Sequence, residues 1–353
     1  MRAVQMVEFR KPLEITEIPD PQCGERDVVI KVEACGVCRT EWHLWNGDWE
    51  WIGFKAALPH TPGHEVAGKI VEIGSGIKKL KVGDNITVPW HWACGDCVSC
   101  NRGRTNTCMN LGFAGFGGYT GAYAEYVRVP NADLNVIPLP ESIGPLDASV
   151  MSCRYMAAFG AVVHKAQIQA GEWLVVLGAG GQGLASVQIG AAAGANVIAV
   201  DINDAKLAKA TELGAAATIN ANSDTDVAAA VNDIIGEGAH ATVDTVARPS
   251  SIVTACLTTR RQGRVVQSGY TTQPDNGMLA IPMELVSLFE LQIIGSGVGM
   301  NHAAFPGLVS LVERGILRPR DIVTEQIGLD GLTGVIEAMD EWSNVGFSVV
   351  TSF

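Results

Sequence analysis

The stretch WLVVLGAGGQGLASVQIGAAAGANVIAVD, residues 173–201, limits the fold more than any other part of the chain. An apolar run, residues 173–177, leads straight into Gly178-x-Gly180-x-x-Gly183; a small-residue helical segment follows, then a second apolar run, 196–200, ends at Asp201. Strand, glycine turn, helix and strand together give each glycine a reason. The first permits a tight turn, the second lets backbone approach a pyrophosphate, and the third lets helix lie close on strand. The helix N-terminus attracts an anion through its N–H groups and dipole. Gly181 and Gln182, within the turn, are assigned to the nucleotide with the three glycines. Asp201, about 20 residues past the first glycine, stands where an acid grips the ribose hydroxyls. A carboxylate there repels a 2′-phosphate, so NAD is predicted over NADP. A competing reading makes Asp201 the N-cap of the helix in NDAKLAKA.

Further strand-like runs at 217–219, 241–245, 263–267 and 291–294 alternate mostly with helical stretches, which predicts a six-stranded, doubly wound parallel sheet. With 353 residues and 47% apolar content the chain is long enough for two domains. A membrane span at 173–200 is argued against by its glycines and by Gln182, Gln188 and Asn196. The net charge of -12, with no Lys/Arg cluster, argues against nucleic acid as a partner. At the N-terminus, Glu8, Arg10 and Lys11 interrupt any apolar run, so a cytoplasmic protein with reduced thiols and no membrane association is expected.

Four of the nine cysteines, Cys94, Cys97, Cys100 and Cys108, fall within residues 94–108 as C-x2-C-x2-C-x7-C. Clustered thiols in a reducing compartment bind metal more often than they pair as disulfides. The spacing resembles the start of a ferredoxin run, but the last gap is too long and Met109, not proline, follows. Four thiolates around zinc close its coordination shell, a structural site. Elsewhere Cys38 and His43 lie in GVCRTEWH, His64 and Glu65 in PGHEVAG, and Cys153 in MSCRYMA; each is a weak signal alone.

Together, in this order and spacing, these motifs and the glycine turn resemble the zinc-dependent alcohol dehydrogenases of the medium-chain dehydrogenase/reductase superfamily over essentially the whole chain. The resemblance implies a GroES-like, mainly-β catalytic domain (1–154 and 295–353) and a Rossmann coenzyme domain (155–294), with the active site in the cleft between them. It implies two zinc ions per subunit: a catalytic one on Cys38, His64 and Cys153, and a structural one on Cys94, Cys97, Cys100 and Cys108. Three ligands leave a fourth position open for a substrate oxygen. Thr40 and His43 match the family's proton relay, Glu41 and Glu65 its outer-shell acids, Arg39 a pyrophosphate contact and Lys206 a ribose contact. A homotetramer joined near 291–299 is likewise implied.

Two positions depart from the pattern: Ala157 stands where members commonly have Thr against the nicotinamide, and VGFSVV offers Ser348 where they commonly have Arg. Six of the eight tryptophans fall between Trp42 and Trp92, and Trp90 matches a pocket-wall position. Indole faces suit a planar, apolar alcohol, whether aromatic, allylic or cyclic. The expected reaction is interconversion of an alcohol with its aldehyde or ketone by hydride transfer with NAD. A polyol, amino-alcohol or ring hydroxy compound is the alternative substrate, and a non-catalytic, zinc-stabilised NAD-binding protein the alternative from another class.

Overall fold

In the computed structural model, residues 1–116, 119–222 and 224–353 are described. Gly117 and Gly118, in the glycine-rich stretch GFAGFGGYTGAYAEYV, lie outside them. The chain packs as two units, Met1–Met156 with Met300–Phe353, and Ala157–Gly299.

The first unit is mainly β. Strands β1 (Arg2–Gln5) and β2 (Glu14–Glu17) form an antiparallel pair. A larger sheet holds β3 (Val28–Gly36), β4 (Glu65–Ile73), β5 (Asn85–Val88), β6 (Tyr126–Val129), β7 (Ile137–Pro138), β14 (Val323–Gly328) and β15 (Phe347–Ser352). Its order is β14-β15-β3-β4-β5-β7, with β6 also on β3. The central β3 buries nearly all of its VVIKVEACG, as a strand flanked on both edges should.

Register places the candidate site. Antiparallel pairing sets Gly36, the last residue of β3, opposite Glu65, the first of β4. The residues just beyond these ends, Cys38 and His64, therefore emerge side by side. Helix Pro145–Val150, with proline in its first turn, packs on β3 and β4 and passes into a π-helical turn, Met151–Tyr155, that carries Cys153. Such turns recur at functional sites because the extra residue redirects a side chain.

The second unit is a doubly wound sheet of β8 (Trp173–Leu177), β9 (Asn196–Asp201), β10 (Ala217–Asn220), β11 (Ala239–Asp244), β12 (Thr259–Gln267) and β13 (Gln292–Gly295), all parallel, in the order β10-β9-β8-β11-β12-β13. This is the Rossmann order, its topological switch lying between β8 and β11. The strand expected at 263–267 begins earlier, at Thr259, because the polar residues TRRQ hide its start. No helix among the described residues is long and apolar enough to cross a membrane.

Candidate active site

Cys38, His64, Glu65 and Cys153 are buried, and their candidate ligand atoms all lie within 4.8 Å of one another. Cys38 is the N-cap of helix Arg39–Asn46, and Glu41 at N3 reaches back to accept from the Cys38 N–H at 3.0 Å. The other Glu41 oxygen lies 2.5 Å from His64 Nδ1, which fixes the imidazole through that nitrogen. His64 Nε2 is buried and, among the described residues, has no hydrogen-bond partner. An orphaned imidazole nitrogen beside two thiols is costly in a protein core and suited to a metal, so this donor set fits zinc. The Cys153 thiol beside it holds Cys38 well below the ordinary thiol range, His64 adding to this against the effect of burial. Burial pushes Cys153 well above that range, so metal binding there must displace its proton. Burial works to lower the His64 pKa, but the Glu41 carboxylate and Cys38 together raise it well above normal.

Thr40 Oγ1 lies 3.4 Å from Cys38 Sγ. His43 is buried on the same helix, three residues from Thr40 and so on a shared face. Its Nδ1 sits 2.6 Å from Asp48 Oδ2, and Asp48 is itself held by Asn46 Nδ2 at 2.7 Å. Nothing local in the sequence had singled out Asp48. Arg39 lies between the rings of Trp42 and Trp342, at 4.0 and 3.5 Å, and donates to the Met339 carbonyl at 2.8 Å.

Trp90 stands edge-on to His64, with ring centroids 6.4 Å apart, and edge-on to Phe113 at 5.2 Å. From Phe113 the aromatic contacts continue to Phe116 (4.0 Å) and Phe54 (5.9 Å), and from Phe116 through Trp49 (6.3 Å) to His43 (5.4 Å). An aromatic chain thus links the His64 end of the site to the His43 end. The three phenylalanines in it, Phe54, Phe113 and Phe116, were not singled out by the sequence.

Cys94, Cys97, Cys100 and Cys108 form the second cluster, again with sulfurs within 4.8 Å of one another. Backbone N–H groups converge on them: Cys94 and Asn110 donate to the Cys108 sulfur at 3.3 Å, and Met109 to the Cys97 sulfur at 3.5 Å. The Cys100 and Met109 amides draw the Cys97 thiol down to about 6, while burial pushes Cys100 up to about 12. N–H groups aimed at sulfur stabilise thiolate, and four sulfurs so placed fit a closed zinc site.

In the second unit the glycine turn runs from β8 into helix Gly181–Ala192. Gly178 has φ +87°, and a Cβ there would meet Thr245 Oγ1 at 2.7 Å. At Gly183 a Cβ would meet the Gly178 carbonyl at 1.8 Å, whereas at Gly180, the N-cap, it would meet nothing within 4 Å. Gly180 therefore faces open space beside a helix start with no side-chain cap, a cradle that fits a pyrophosphate. Gln182 Nε2 donates to Ser268 Oγ at 2.5 Å. Asp201, at the end of β9, accepts from Ala179 N at 2.7 Å and Asn203 N at 3.0 Å. The helix Asp204–Glu212 is capped by Asn203, not Asp201, which removes the N-cap reading of that acid; Lys206 is buried on this helix. Ala157 is buried, and Ser348 Oγ donates to Glu325 Oε2 at 2.8 Å.

Residues 24–141 match the alcohol dehydrogenase GroES-like domain and residues 181–314 the zinc-binding dehydrogenase domain. An alcohol dehydrogenase of Geobacillus stearothermophilus is 35% identical over 97% of this chain and 96% of its own length. An NAD-dependent alcohol dehydrogenase of Sulfurisphaera tokodaii is 34% identical over 99% of both chains. Among solved structures, an alcohol dehydrogenase from Thermus sp. ATN1 superposes over the whole of both chains with a TM-score of 0.90 at 26% identity.

Proposed function

We propose that this chain, which belongs to the zinc-dependent alcohol dehydrogenases of the medium-chain dehydrogenase/reductase superfamily, interconverts an apolar primary or secondary alcohol and its carbonyl product with NAD. The observation that carries this reading is the buried trio Cys38, His64 and Cys153, whose orphaned His64 Nε2 lies beside two sulfurs. When bound, zinc supplies the Lewis acidity that polarises a substrate oxygen, and nicotinamide supplies the two-electron acceptor.

The protein's part is positioning and proton movement. Glu41 holds His64 in the tautomer that leaves Nε2 as ligand. The Thr40 hydroxyl takes up the proton that the alcohol loses as it gives up its own toward His43, with Asp48 steadying the imidazole through Nδ1. His43→Gln keeps a polar side chain but cannot carry the proton. We expect kcat to fall roughly 10²-fold and the pH–rate profile to change shape; a profile of unchanged shape would remove His43 from the relay.

On the nucleotide side, Gly178, Gly180, Gly181, Gln182 and Gly183 cradle the pyrophosphate, Lys206 is a further contact, and Asp201 grips the ribose. Asp201→Ser should weaken NAD and relieve repulsion of a 2′-phosphate. A charge-assisted hydrogen bond of ~1.5–3 kcal/mol corresponds to a roughly ten- to hundredfold change in the NAD/NADP ratio of kcat/KM. An unaltered ratio would mean that another group sets the preference.

The aromatic chain from Trp90 to Trp49 supports a planar, apolar substrate. The test is kcat/KM for benzyl alcohol against sorbitol. Preference for benzyl alcohol is expected, and better turnover of sorbitol would favour a polyol dehydrogenase. We place the enzyme in the cytoplasm as a homotetramer. Helix Met283–Phe289, which buries none of its residues and exposes Met283 and Leu288, precedes the edge strand β13 in the chain and supports association there.

A further inference from the structure

Glu65 is fully buried and next to ligand His64, and one of its oxygens falls within the same 4.8 Å cluster as the Cys38, His64 and Cys153 donors. A carboxylate so close is itself able to fill the fourth coordination position and exclude substrate. Yet both of its oxygens are engaged elsewhere. Arg154, the residue after Cys153, donates Nε to Oε1 at 2.9 Å and Nη2 to Oε2 at 2.8 Å, and its backbone N–H reaches Oε1 at 3.3 Å. The guanidinium is in turn stacked on the buried Phe347 ring, 3.5 Å from its centroid. The carboxylate sits against Gly36, where a Cβ would lie 1.8 Å from Oε2. A fork on one side, a bare glycine on the other and an aromatic plate behind the fork fix the carboxylate in one place.

We propose that Arg154 is a positioning residue that holds Glu65 off the metal and so keeps the fourth position open; this rests on the reading of Cys38, His64 and Cys153 as zinc ligands. Charge supports it: zinc offsets the two thiolates, the Glu41 carboxylate is engaged with His64 Nδ1, and Arg154 supplies the counter-charge of Glu65. Without Arg154, the buried carboxylate loses its counter-charge and is left beside the metal as the cation to pair with. The carboxylate then closes the site.

The test uses protein loaded with Co2+, whose visible d–d bands report coordination at the trio once the Cys153→Ser spectrum is subtracted for the four-cysteine site, and imidazole as probe of the open position. In wild type, imidazole should shift the bands. In Arg154→Met the starting spectrum should already differ, and at least tenfold more imidazole should be needed. Arg154→Met combined with Glu65→Gln should restore the wild-type response, which a merely structural role for Arg154 would not do. Wild-type spectra and imidazole affinity in Arg154→Met would overturn the proposal, as would failure of Glu65→Gln to rescue. Should Arg154→Met not fold, Arg154→Lys, which keeps the charge but not the two-pronged grip, should need at least threefold more imidazole; an unchanged affinity would again overturn it. Absence of any Cys153-dependent bands in wild-type protein would instead sink the zinc reading beneath it.

Discussion

Replacing Cys153 with Ser is expected to lower kcat/KM by roughly 10³–10⁴-fold, the loss of the several kcal/mol (~5) that a metal contributes to transition-state charge stabilisation. Serine occupies the same space in the π-helical turn, but its hydroxyl does not ionise near neutrality and makes a poor third ligand beside Cys38 and His64. Metal content should fall from roughly two zinc ions per subunit to roughly one, because the four-cysteine cluster is untouched. Both readings are needed. Activity lost with two zinc ions retained would show that Cys153 acts otherwise than as a ligand, and activity retained would remove it from the site.

The second large effect is on stability. Residues 94–108 contain only the four-residue helix Val98–Asn101, which buries none of its side chains, and the 3-10 turn Thr105–Thr107. A segment with so little apolar burial has no core of its own, so its shape must come from what the four sulfurs hold. Cys100→Ser should therefore release the lobe. At ~5 kcal/mol of lost metal-coupled stability, the melting temperature should drop by about 10 °C. Calorimetry of the variant beside wild type checks this, and an unchanged melting temperature would contradict a bracing role.

The legible parts of this molecule are those written in consecutive residues. The Rossmann sheet shows because buried parallel strands such as β8 and β9 are continuous apolar runs and because Gly178 and Gly183 are required by geometry that no side chain tolerates. The four-cysteine lobe is read from its spacing alone. The trio is different: Cys38, His64 and Cys153 are scattered, and only their resemblance to a family motif order joined them before the β3–β4 register did so physically.

What stayed hidden is what depends on distant partners. Arg154 and Glu65 are 89 residues apart, and nothing near either one announces the other. Asp48 lies close to His43 in sequence, but an acid after a glycine reads as a turn residue until its carboxylate is seen 2.6 Å from an imidazole. Phe54, Phe113 and Phe116 likewise look like ordinary core aromatics until their rings line up with Trp90. Arg39 between Trp42 and Trp342 joins residues 300 positions apart for the same reason, a contact made by the fold.

Hydride transfer between an alcohol and NAD is tested most directly by following reduced nicotinamide absorbance with zinc-loaded protein, NAD, and a panel of aliphatic, allylic, benzylic, cyclic and polyhydroxy alcohols. The account predicts NADH formation, greatest with the benzylic, allylic or cyclic members. Absence of NADH with every alcohol, from protein that holds both zinc ions and binds NAD, would contradict it and favour a non-catalytic NAD-binding protein.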